Sequence, residues 1–384
     1  MTGRVLVLNC GSSSLKWQVV DPEAGDAVAS GQVERIGQAA AADHEAALQQ
    51  VLDGLEEAEA GLAGLELVAV AHRVVHGGER FSGPVRIDDD VVAEIRDLAR
   101  LAPLHNPAAV LGIEAARRRL GALPHVGIFD TAFHRTLPPR AATYAVPRAW
   151  REEHGVRRYG FHGTSYAHVS RAAAELLGVA PEAANLVVLH LGNGASAAAV
   201  EGGRSVDTSM GLTPLEGLVM GTRSGDVDPA LFGHLQRTAG LGAEEVQDAL
   251  QSQSGMRALA GDGDLREVHR RADAGDAEAA LALDVYCHRI RRYVGAFMAV
   301  LGRTDAIVFT AGVGEHDADV RRRALAGLEP LGIHLDEGRN GAPGKEGRVI
   351  SAQDSPVAVL VVPTDEELEM ARQAIELLGA AGGS

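Results

Sequence analysis

The chain has 384 residues, which exceeds what one hydrophobic core usually supports and predicts two domains. Its formal net charge of −16 argues against a general surface for nucleic acid or an anionic membrane, so any anion site has to be built locally. Two cysteines cannot form a disulfide framework, and no stretch approaches the ~20 apolar residues of a membrane span, so a cytoplasmic protein is expected.

The first predicted element is a buried strand that runs into a small, hydroxyl-rich turn. Residues 5–8 are apolar, residues 11–14 read Gly-Ser-Ser-Ser, and Lys16 follows. Glycine lets a backbone approach a ligand closely, and the serines and lysine can donate to phosphate oxygens. Residues 17–20 resume a strand instead of starting a helix, so this is not a Walker loop. The segment predicts a strand–turn–strand grip on phosphate, with an ordinary Ser-Gly hairpin as the alternative.

Short apolar strands alternate with amphipathic helices along the chain, which is the α/β pattern. One helix is predicted after Asp90, where apolar residues recur at helical spacing until Pro103. Residues 186–196 repeat the first pattern, because a buried strand again runs into a Gly/Ser/Asn turn. Two such turns predict two similar domains. Two unrelated glycine hairpins remain the alternative in a chain with 46 glycines.

A third glycine-rich loop follows the predicted strand at residues 306–310, which is apolar up to Phe309. Gly312 and Gly314 would let a flat ligand lie against the backbone, as at the nucleoside end of a nucleotide site. Further along, an apolar strand leads into a helix in which Thr364 and Glu367 fit a capping box. Glu366 has no part in that cap, although an acid in the first turn also favours the helix dipole.

Charged side chains cluster near predicted strand ends, namely Arg73, His76, Asp130 and His162, and Arg223 lies in another glycine-rich loop. Open α/β sheets bind ligands outside the carboxyl ends of their strands. Phosphoryl transfer needs cations for the oxygens, acids to hold hydrated magnesium and backbone donors for the nucleotide. Any one of these residues alone is more simply a salt bridge or a buried histidine. The combination indicates phosphoryl transfer.

Several blocks form motifs in a fixed order along the chain. The most specific are Asn-x-Gly-Ser-Ser-Ser-x-Lys at residues 9–16 and His-Leu-Gly-Asn-Gly-x-Ser at 190–196. Others lie at residues 72–78, 103–107, 129–134, 159–165, 221–226, 312–315 and 363–367. In this order the motifs resemble the acetate kinase family over essentially the whole chain. The resemblance implies the α/β fold of sugar kinases, heat-shock ATPases and actin, with two duplicated ribonuclease-H-like (actin-like ATPase) domains and a nucleotide cleft between them.

The resemblance also implies domain boundaries, a reaction and partners. Residues 1–150, completed by a helix at 366–384, would form the first domain, and residues 151–365 the second, with the nucleotide-binding loops. The implied reaction is reversible in-line transfer of the γ-phosphoryl group of ATP to acetate, which gives acetyl phosphate and ADP with Mg²⁺, or Mn²⁺ in its place. A homodimer without nucleic-acid or membrane partners is expected.

Residue roles follow from the same resemblance. The residues implied in catalysis are Arg73, Asp130, His162 and Arg223. The residues implied to bind the substrate acid are Arg73, Val75, Leu104, Phe161 and Pro214. The metal would be held by Asn9 and Glu366, with help from Asp130. The residues implied to bind the nucleotide are Ser12, Ser14, Lys16, His190, Gly192, Asn193, Gly194, Ser196, Asp264, Arg266, Gly312, Val313, Gly314, Glu315 and His316.

The chemistry of a carboxylate acceptor bears on the role of Asp130. Acetate is already ionised at neutral pH, since carboxyl groups titrate at roughly 4, so the nucleophile needs no base. Asp130 is therefore expected to organise a metal or position a group. In a sugar kinase the hydroxyl acceptor would benefit from a base, and the same acid would change role.

Some positions depart from the family pattern, and two other functions stay open. His316 stands where asparagine is usual, Tyr166 where histidine is common, and residues 254–261 are altered, which puts the nucleotide preference in question. A propionate or butyrate kinase is the nearest alternative, since one methylene is worth only ~1–3 kcal/mol in such a pocket. A nucleotide-driven clamp of the same fold is the other, and the intact Arg73 and Arg223 argue against it.

Overall fold

The computed structural model describes residues 3–37, 41–57 and 64–381. Contacts divide the chain into two compact units. The first comprises Met1–Arg135, Gly163–Ser165 and Asp365–Ser384, and the second comprises Thr136–His162 and Tyr166–Thr364. The boundary expected at residue 150 falls inside a segment that these contacts place in the second unit. In the described parts of the chain, no helix combines the length and apolarity needed to cross a membrane.

The first unit contains a mixed sheet. Its strands are β1 Arg4–Cys10, β2 Ser14–Asp21, β3 Asp26–Glu34, β4 Leu67–Val74, β5 Val85–Arg86 and β6 His125–Phe129. They lie in the order β3-β2-β1-β4-β6-β5. β1 pairs antiparallel with β2 and parallel with β4, and β4 pairs parallel with β6. The predicted strand–turn–strand element at residues 5–20 is confirmed.

The second unit repeats this arrangement. Its strands are β7 Asn185–Leu191, β8 Ala195–Glu201, β9 Arg204–Thr208, β10 Ala306–Thr310, β11 Arg348–Val349 and β12 Ala358–Val361. Their order, β9-β8-β7-β10-β12-β11, matches the first sheet strand for strand, including the short antiparallel edge strand. The β1–β2 and β7–β8 turns therefore occupy equivalent places, and the predicted duplication is confirmed.

Helices connect these strands. In chain order they are α1 His44–Glu57, α2 Asp89–Asp97, α3 Asn106–Arg119, α4 Pro139–Ala142, α5 Arg148–His154, α6 Gly163–Leu177, α7 Leu231–Ala239, α8 Ala243–Ser252, α9 Gly255–Ala260, α10 Leu265–Asp273, α11 Ala277–Leu301, α12 Ala311–His316, α13 Ala318–Leu325, α14 Glu337–Gly341 and α15 Glu366–Ala381. Short 3₁₀ turns lie at Leu98–Arg100, Ala132–Thr136, Pro181–Ala183 and Glu329–Leu331.

Two apolar layers hold the first sheet between helices. On one face, Leu6 and Leu8 of β1 pack with residues of α1 and α3. On the other face, Val5 and Val7 pack with the apolar residues of α15. Because alternate residues of a strand point to opposite faces, the run at residues 5–8 serves both layers, which explains why it is apolar throughout.

Side-chain caps account for several helix starts. Asp88 accepts from the Val91 amide at 2.9 Å at the start of α2, close to the helix predicted after Asp90. At α15, Asp365 accepts from the Leu368 amide at 2.8 Å, so the capping box predicted with Thr364 is wrong. An aspartate one residue further on takes that position, since Asp caps at least as well as Thr.

Gly112, inside α3, leaves room for the Cys10 side chain, since an ideal Cβ there would lie 2.2 Å from the Cys10 Sγ. We expect Gly112→Ala to lower the free energy of unfolding by about 1–3 kcal/mol through overpacking. Gly54→Ala in α1, where a Cβ meets nothing within 4 Å, is the matched control and should stabilise the chain by ~0.5–1 kcal/mol.

Urea unfolding followed by Trp17 fluorescence in a Trp150→Phe background reports on the first unit, since the chain has two tryptophans. The Cys10→Ala and Gly112→Ala double variant should recover stability relative to Gly112→Ala alone. Equal stability of the Gly112→Ala and Gly54→Ala variants would contradict the steric explanation.

Candidate active site

Arg73 and Asp130 form a two-pronged ion pair in the first unit. Arg73 lies in β4 and Asp130 directly follows the neighbouring parallel strand β6. The Arg73 Nε donates to the Asp130 Oδ1 at 3.0 Å, and Nη2 donates to Oδ2 at 2.8 Å. The Asp130 side chain is 3% exposed and that of Arg73 24%. The adjacent Asp130 carboxylate raises the pKa of Arg73, so the guanidinium stays charged and keeps a fixed direction.

Glu366, the first residue of α15, adds a second carboxylate to this pair. Its Oε2 lies 4.0 Å from the Arg73 Nη2. Burial raises the pKa of Glu366. The charges of Asp130 and Glu367 add to this rise, whereas the charges of Arg73 and Lys16 oppose it. Carboxylates therefore outnumber the nearby cations, and a further positive charge at this place would be stabilised.

The residues of the first turn lie beside these groups. Asn9 and Lys16 are register partners in the β1–β2 hairpin, and both line a cleft of about 300 Å³ together with Glu367. The Gly11 amide donates to the Ser14 carbonyl at 2.8 Å, which closes the turn, and Ser12 is exposed at its tip. The hairpin thus presents hydroxyl, amide and ammonium donors in a small region.

In the second unit, His162 lies in a hydrogen-bonded cluster with Ser196 and Tyr166. The His162 Nδ1 is 2.8 Å from the Ser196 Oγ, and the Tyr166 hydroxyl is 2.6 Å from the same oxygen. The His162 ring also stacks on His190 with centroids 4.2 Å apart. Burial raises the pKa of Tyr166, so its hydroxyl remains protonated. These contacts fix the plane of the His162 ring.

Arg223 approaches the β7–β8 turn. Its Nη1 donates to the Pro214 carbonyl at 3.2 Å, and burial lowers its pKa. A Cβ placed on Gly194 would lie 3.4 Å from the Arg223 Nη1 and 3.5 Å from the His162 Nε2, so both side chains reach this glycine. No carboxylate of the described residues pairs with Arg223. An anion bound here would offset the cost of burying this cation.

A cleft of about 1140 Å³ lies within the second unit. Among its lining residues are several predicted to bind the nucleotide, namely Gly192, Asn193, Asp264, Arg266, Gly312, Val313 and His316. Asp264 caps α10 and pairs with Arg266 at 2.6 Å, which lowers the pKa of Asp264 to about 2. His269, also in this cleft, is 2.8 Å from the Asp317 Oδ2, and that hydrogen bond raises its pKa.

The third glycine-rich segment is a short helix, α12, where the sequence indicated a loop. Gly314 packs near the Phe309 backbone, and the Glu315 Oε1 accepts from the Thr364 amide at 3.1 Å. These two residues do not line the cleft. The buried Arg321 donates to the carbonyls of Gly314 and Glu315 at 2.9 and 3.0 Å, which supports α12 from behind.

The predicted acyl-pocket residues are divided between the units. Val75 is half-buried after β4, and Leu104 is 67% exposed, both in the first unit. Phe161 is buried and Pro214 is half-buried, both in the second. The role of each of these residues in binding an acid stays a prediction.

Sequence reasoning gave no role to Tyr166, His269, Arg321 or Glu216. Tyr166 was noticeable only as a departure from a family pattern. His269 and Arg321 lie on helices whose pattern explains them as ordinary polar residues. The partners of Glu216, described below, lie 58 and 72 residues away, so no local motif could reveal them.

Equivalent turns in two duplicated α/β units, with guanidinium and carboxylate groups at strand ends, are the features expected of a phosphotransferase of the actin-like ATPase fold. The model of the acetokinase family matches residues 4–372. The chain belongs to this family.

Individual relatives agree with the family match. An acetate kinase of Streptomyces avermitilis is 55% identical over 397 residues, which cover 98% of each chain. The solved structure of Porphyromonas gingivalis acetate kinase matches with a TM-score of 0.94 and 41% identity, over 98% of this chain and 100% of the other. A propionate kinase from Francisella tularensis matches with a TM-score of 0.90 and 38% identity, over 97% and 98%.

The raised pKa of Glu366 predicts how stability depends on pH. A carboxyl whose pKa is higher in the folded chain contributes stability below its unfolded pKa, and that contribution is lost as pH rises through the folded pKa. We therefore expect Glu366→Gln to raise the urea midpoint at neutral pH. The gain should disappear below the ordinary glutamate pKa of 4.5.

The measurement is urea unfolding across this pH range, again followed by Trp17 fluorescence in the Trp150→Phe background. Glu376→Gln, on the exposed side of the same helix, is the control and should leave the midpoint unchanged. A Glu366→Gln variant that is less stable than the parent at neutral pH would contradict the expectation.

Proposed function

We propose that this chain transfers the γ-phosphoryl group of ATP to acetate, reversibly, and forms acetyl phosphate and ADP. The observation that carries the proposal is the Arg73–Asp130 pair with Glu366 beside it, in a chain of the acetokinase family. A fixed guanidinium next to carboxylates suits the binding of one anion beside a hydrated cation. A cytoplasmic location, a homodimer and use of the product for acetyl-CoA biosynthesis belong to the same proposal.

The proposed step is a direct in-line displacement. A carboxylate oxygen of acetate bonds to the γ-phosphorus while the bond from that phosphorus to the β,γ-bridging oxygen breaks, and ADP leaves with the electron pair. No proton has to move, because acetate is ionised at neutral pH. Arg73 would bind and orient the carboxylate, and Arg223 and His162 would stabilise charge on the transferring oxygens. The nucleoside would lie in the 1140 Å³ cleft.

Magnesium fits the donors of the first unit. No cluster of three or more His, Cys, Asp or Glu suited to a metal is present in the described ranges. Mg²⁺ nevertheless keeps several waters and usually takes one or two carboxylates besides substrate phosphates. Glu366, with the Asn9 amide oxygen, offers such a set, while Arg73 already occupies both oxygens of Asp130. When bound, the ion would supply positive charge to the phosphate oxygens.

Propionate is the second candidate acid. A propionate kinase is among the structures that match nearly the whole chain. A single methylene changes binding by only ~1–3 kcal/mol in an apolar pocket, so slow turnover of propionate is expected beside that of acetate.

The test is hydroxylamine trapping of acyl phosphate with purified protein, ATP and Mg²⁺. Acetate, propionate, butyrate and no acid are compared. Strong product with acetate supports the proposal. A preference for a longer acid moves it to another carboxylate kinase, and ATP hydrolysis without trapped product refutes phosphoryl transfer to carboxylates.

Arg223 is expected to be essential for turnover, because no carboxylate in residues 3–37, 41–57 and 64–381 pairs with its charge. We expect Arg223→Ala to lower kcat by about 10³–10⁵, the range of an arginine finger. Arg73→Ala should cost as much, since it also leaves Asp130 buried without a partner. Arg80→Ala, which removes an exposed arginine paired with Glu94, is the control and should retain activity. Near-normal turnover of Arg223→Ala in the steady-state assay would show the assignment to be wrong.

A further inference from the structure

Pro214 holds Arg223 in place. The segment between β9 and α7 carries both residues, and the Pro214 carbonyl accepts from the Arg223 Nη1 at 3.2 Å. A shift of Pro214 would therefore move one predicted wall of the acyl pocket and the Arg223 guanidinium together. The contacts that fix Pro214 therefore affect both the acyl pocket and the position of Arg223.

Tyr144 ties both sides of Pro214 together. Its hydroxyl accepts from the Leu212 amide at 3.1 Å and donates to the Glu216 Oε2 in a short hydrogen bond. Burial raises the pKa of Tyr144, so the hydroxyl remains a donor at neutral pH. Leu212 and Glu216 lie two residues before and two after Pro214. A single hydroxyl thus closes a small loop around the proline.

Arg158 anchors this loop to the end of β9. Its Nη2 donates to the Glu216 Oε1 at 2.6 Å, and its Nη1 lies 3.0–3.1 Å from the carbonyls of Thr208, Ser209 and Met210. Its guanidinium also lies 5.5 Å from the centre of the Tyr144 ring. Both carboxylate oxygens of Glu216 are occupied, so the side chain has little freedom.

The junction formed by Tyr144, Glu216 and Arg158 leaves no space for a side chain at Gly211. An ideal Cβ there would lie 1.8 Å from the Glu216 Oε2 and 2.0 Å from the Tyr144 hydroxyl. The Gly211 carbonyl accepts from the Tyr159 amide at 3.0 Å, two residues before Phe161. The same junction therefore also reaches the segment that carries Phe161 and His162.

We propose that Tyr144, Glu216 and Arg158 form a positioning cluster that sets the place of Pro214 and so determines which carboxylic acid is accepted. This inference rests on the proposed function, because it names what selects the acid at that same site. None of the three residues is assigned to touch the substrate. They act through the Pro214 loop.

The test is Tyr144→Phe, which removes the hydroxyl and keeps the ring beside Arg158. Loss of one buried hydrogen-bond partner predicts an increase on the order of tenfold in the KM for acetate. The KM for ATP should stay within about twofold of the parent value, since the nucleotide cleft does not include this loop. The ratio of kcat/KM for propionate to that for acetate should rise, because the Tyr144 hydroxyl no longer fixes Pro214, a predicted wall of the acyl pocket.

Tyr293→Phe is the matched control. Tyr293 donates to Asp226 at 3.0 Å, and Asp226 also accepts from the Gly217 amide. The variant therefore removes a similar hydroxyl from the same segment and leaves the hydrogen bonds among Tyr144, Glu216 and Arg158 in place. Its propionate-to-acetate ratio should equal that of the parent. Glu216→Gln tests the junction a second time without loss of packing atoms and should change acid selectivity in the same direction as Tyr144→Phe.

Three results would overturn the inference, with melting temperatures used to exclude unfolded samples. They are an unchanged KM and ratio in both junction variants, an equal change of ratio in Tyr293→Phe, and an increase confined to the KM for ATP. Failure of the proposed function looks different, because the parent protein would then form no acyl phosphate from any acid.

Discussion

The ion pair of Arg73 and Asp130 is the interaction on which the candidate site of the first unit depends. Parallel strands β4 and β6 bring the two residues to one edge of the sheet, where ligands of open α/β sheets bind. Since both oxygens of Asp130 accept from Arg73, the carboxylate orients the guanidinium. Glu366 then has the more available carboxylate for a metal, at 4.0 Å from the same arginine.

The two arginines proposed for anion binding are compensated differently. Arg73 has carboxylate neighbours that raise its pKa. Burial instead lowers the pKa of Arg223, which donates to the Pro214 carbonyl. An arriving anion has to compete with Asp130 for Arg73. At Arg223 it supplies a counter-charge that the described part of the chain does not provide. We therefore expect anion affinity to depend more on Arg223 and the orientation of the acid more on Arg73.

The sequence allowed the repeated parts of the fold to be predicted, because they rest on local patterns. The apolar run at residues 5–8 with its hydroxyl-rich turn, and its repetition at 186–196, indicated two similar domains, and the two sheets have the same strand order. The cap of α15 was predicted one residue too early, because Thr364 and Asp365 both suit that position and their tertiary surroundings decided between them.

Contacts between distant residues could not be predicted in this way. Tyr144 and Glu216 are separated by 72 residues, and no local sequence motif around either residue indicates the other as its partner. Arg321 is buried against backbone carbonyls, a partner type that leaves no trace in a sequence. The strand-end pattern and the resemblance supplied the residues of the candidate site, but neither of them predicted that Arg73 and Asp130 pair with each other, and neither gave distances.

The position of α15 has a consequence for the order in which the protein is made. This helix covers one face of the first sheet and contributes Glu366, yet it is synthesised after Thr136–Thr364, the range that includes the second unit. During translation the strands of the first sheet therefore leave the ribosome early, and the face that α15 covers stays exposed until α15 itself has been synthesised. A nascent chain interrupted before residue 366 would lack both this cover and the carboxylate, so it would be a substrate for chaperones or proteases instead of a partly active enzyme.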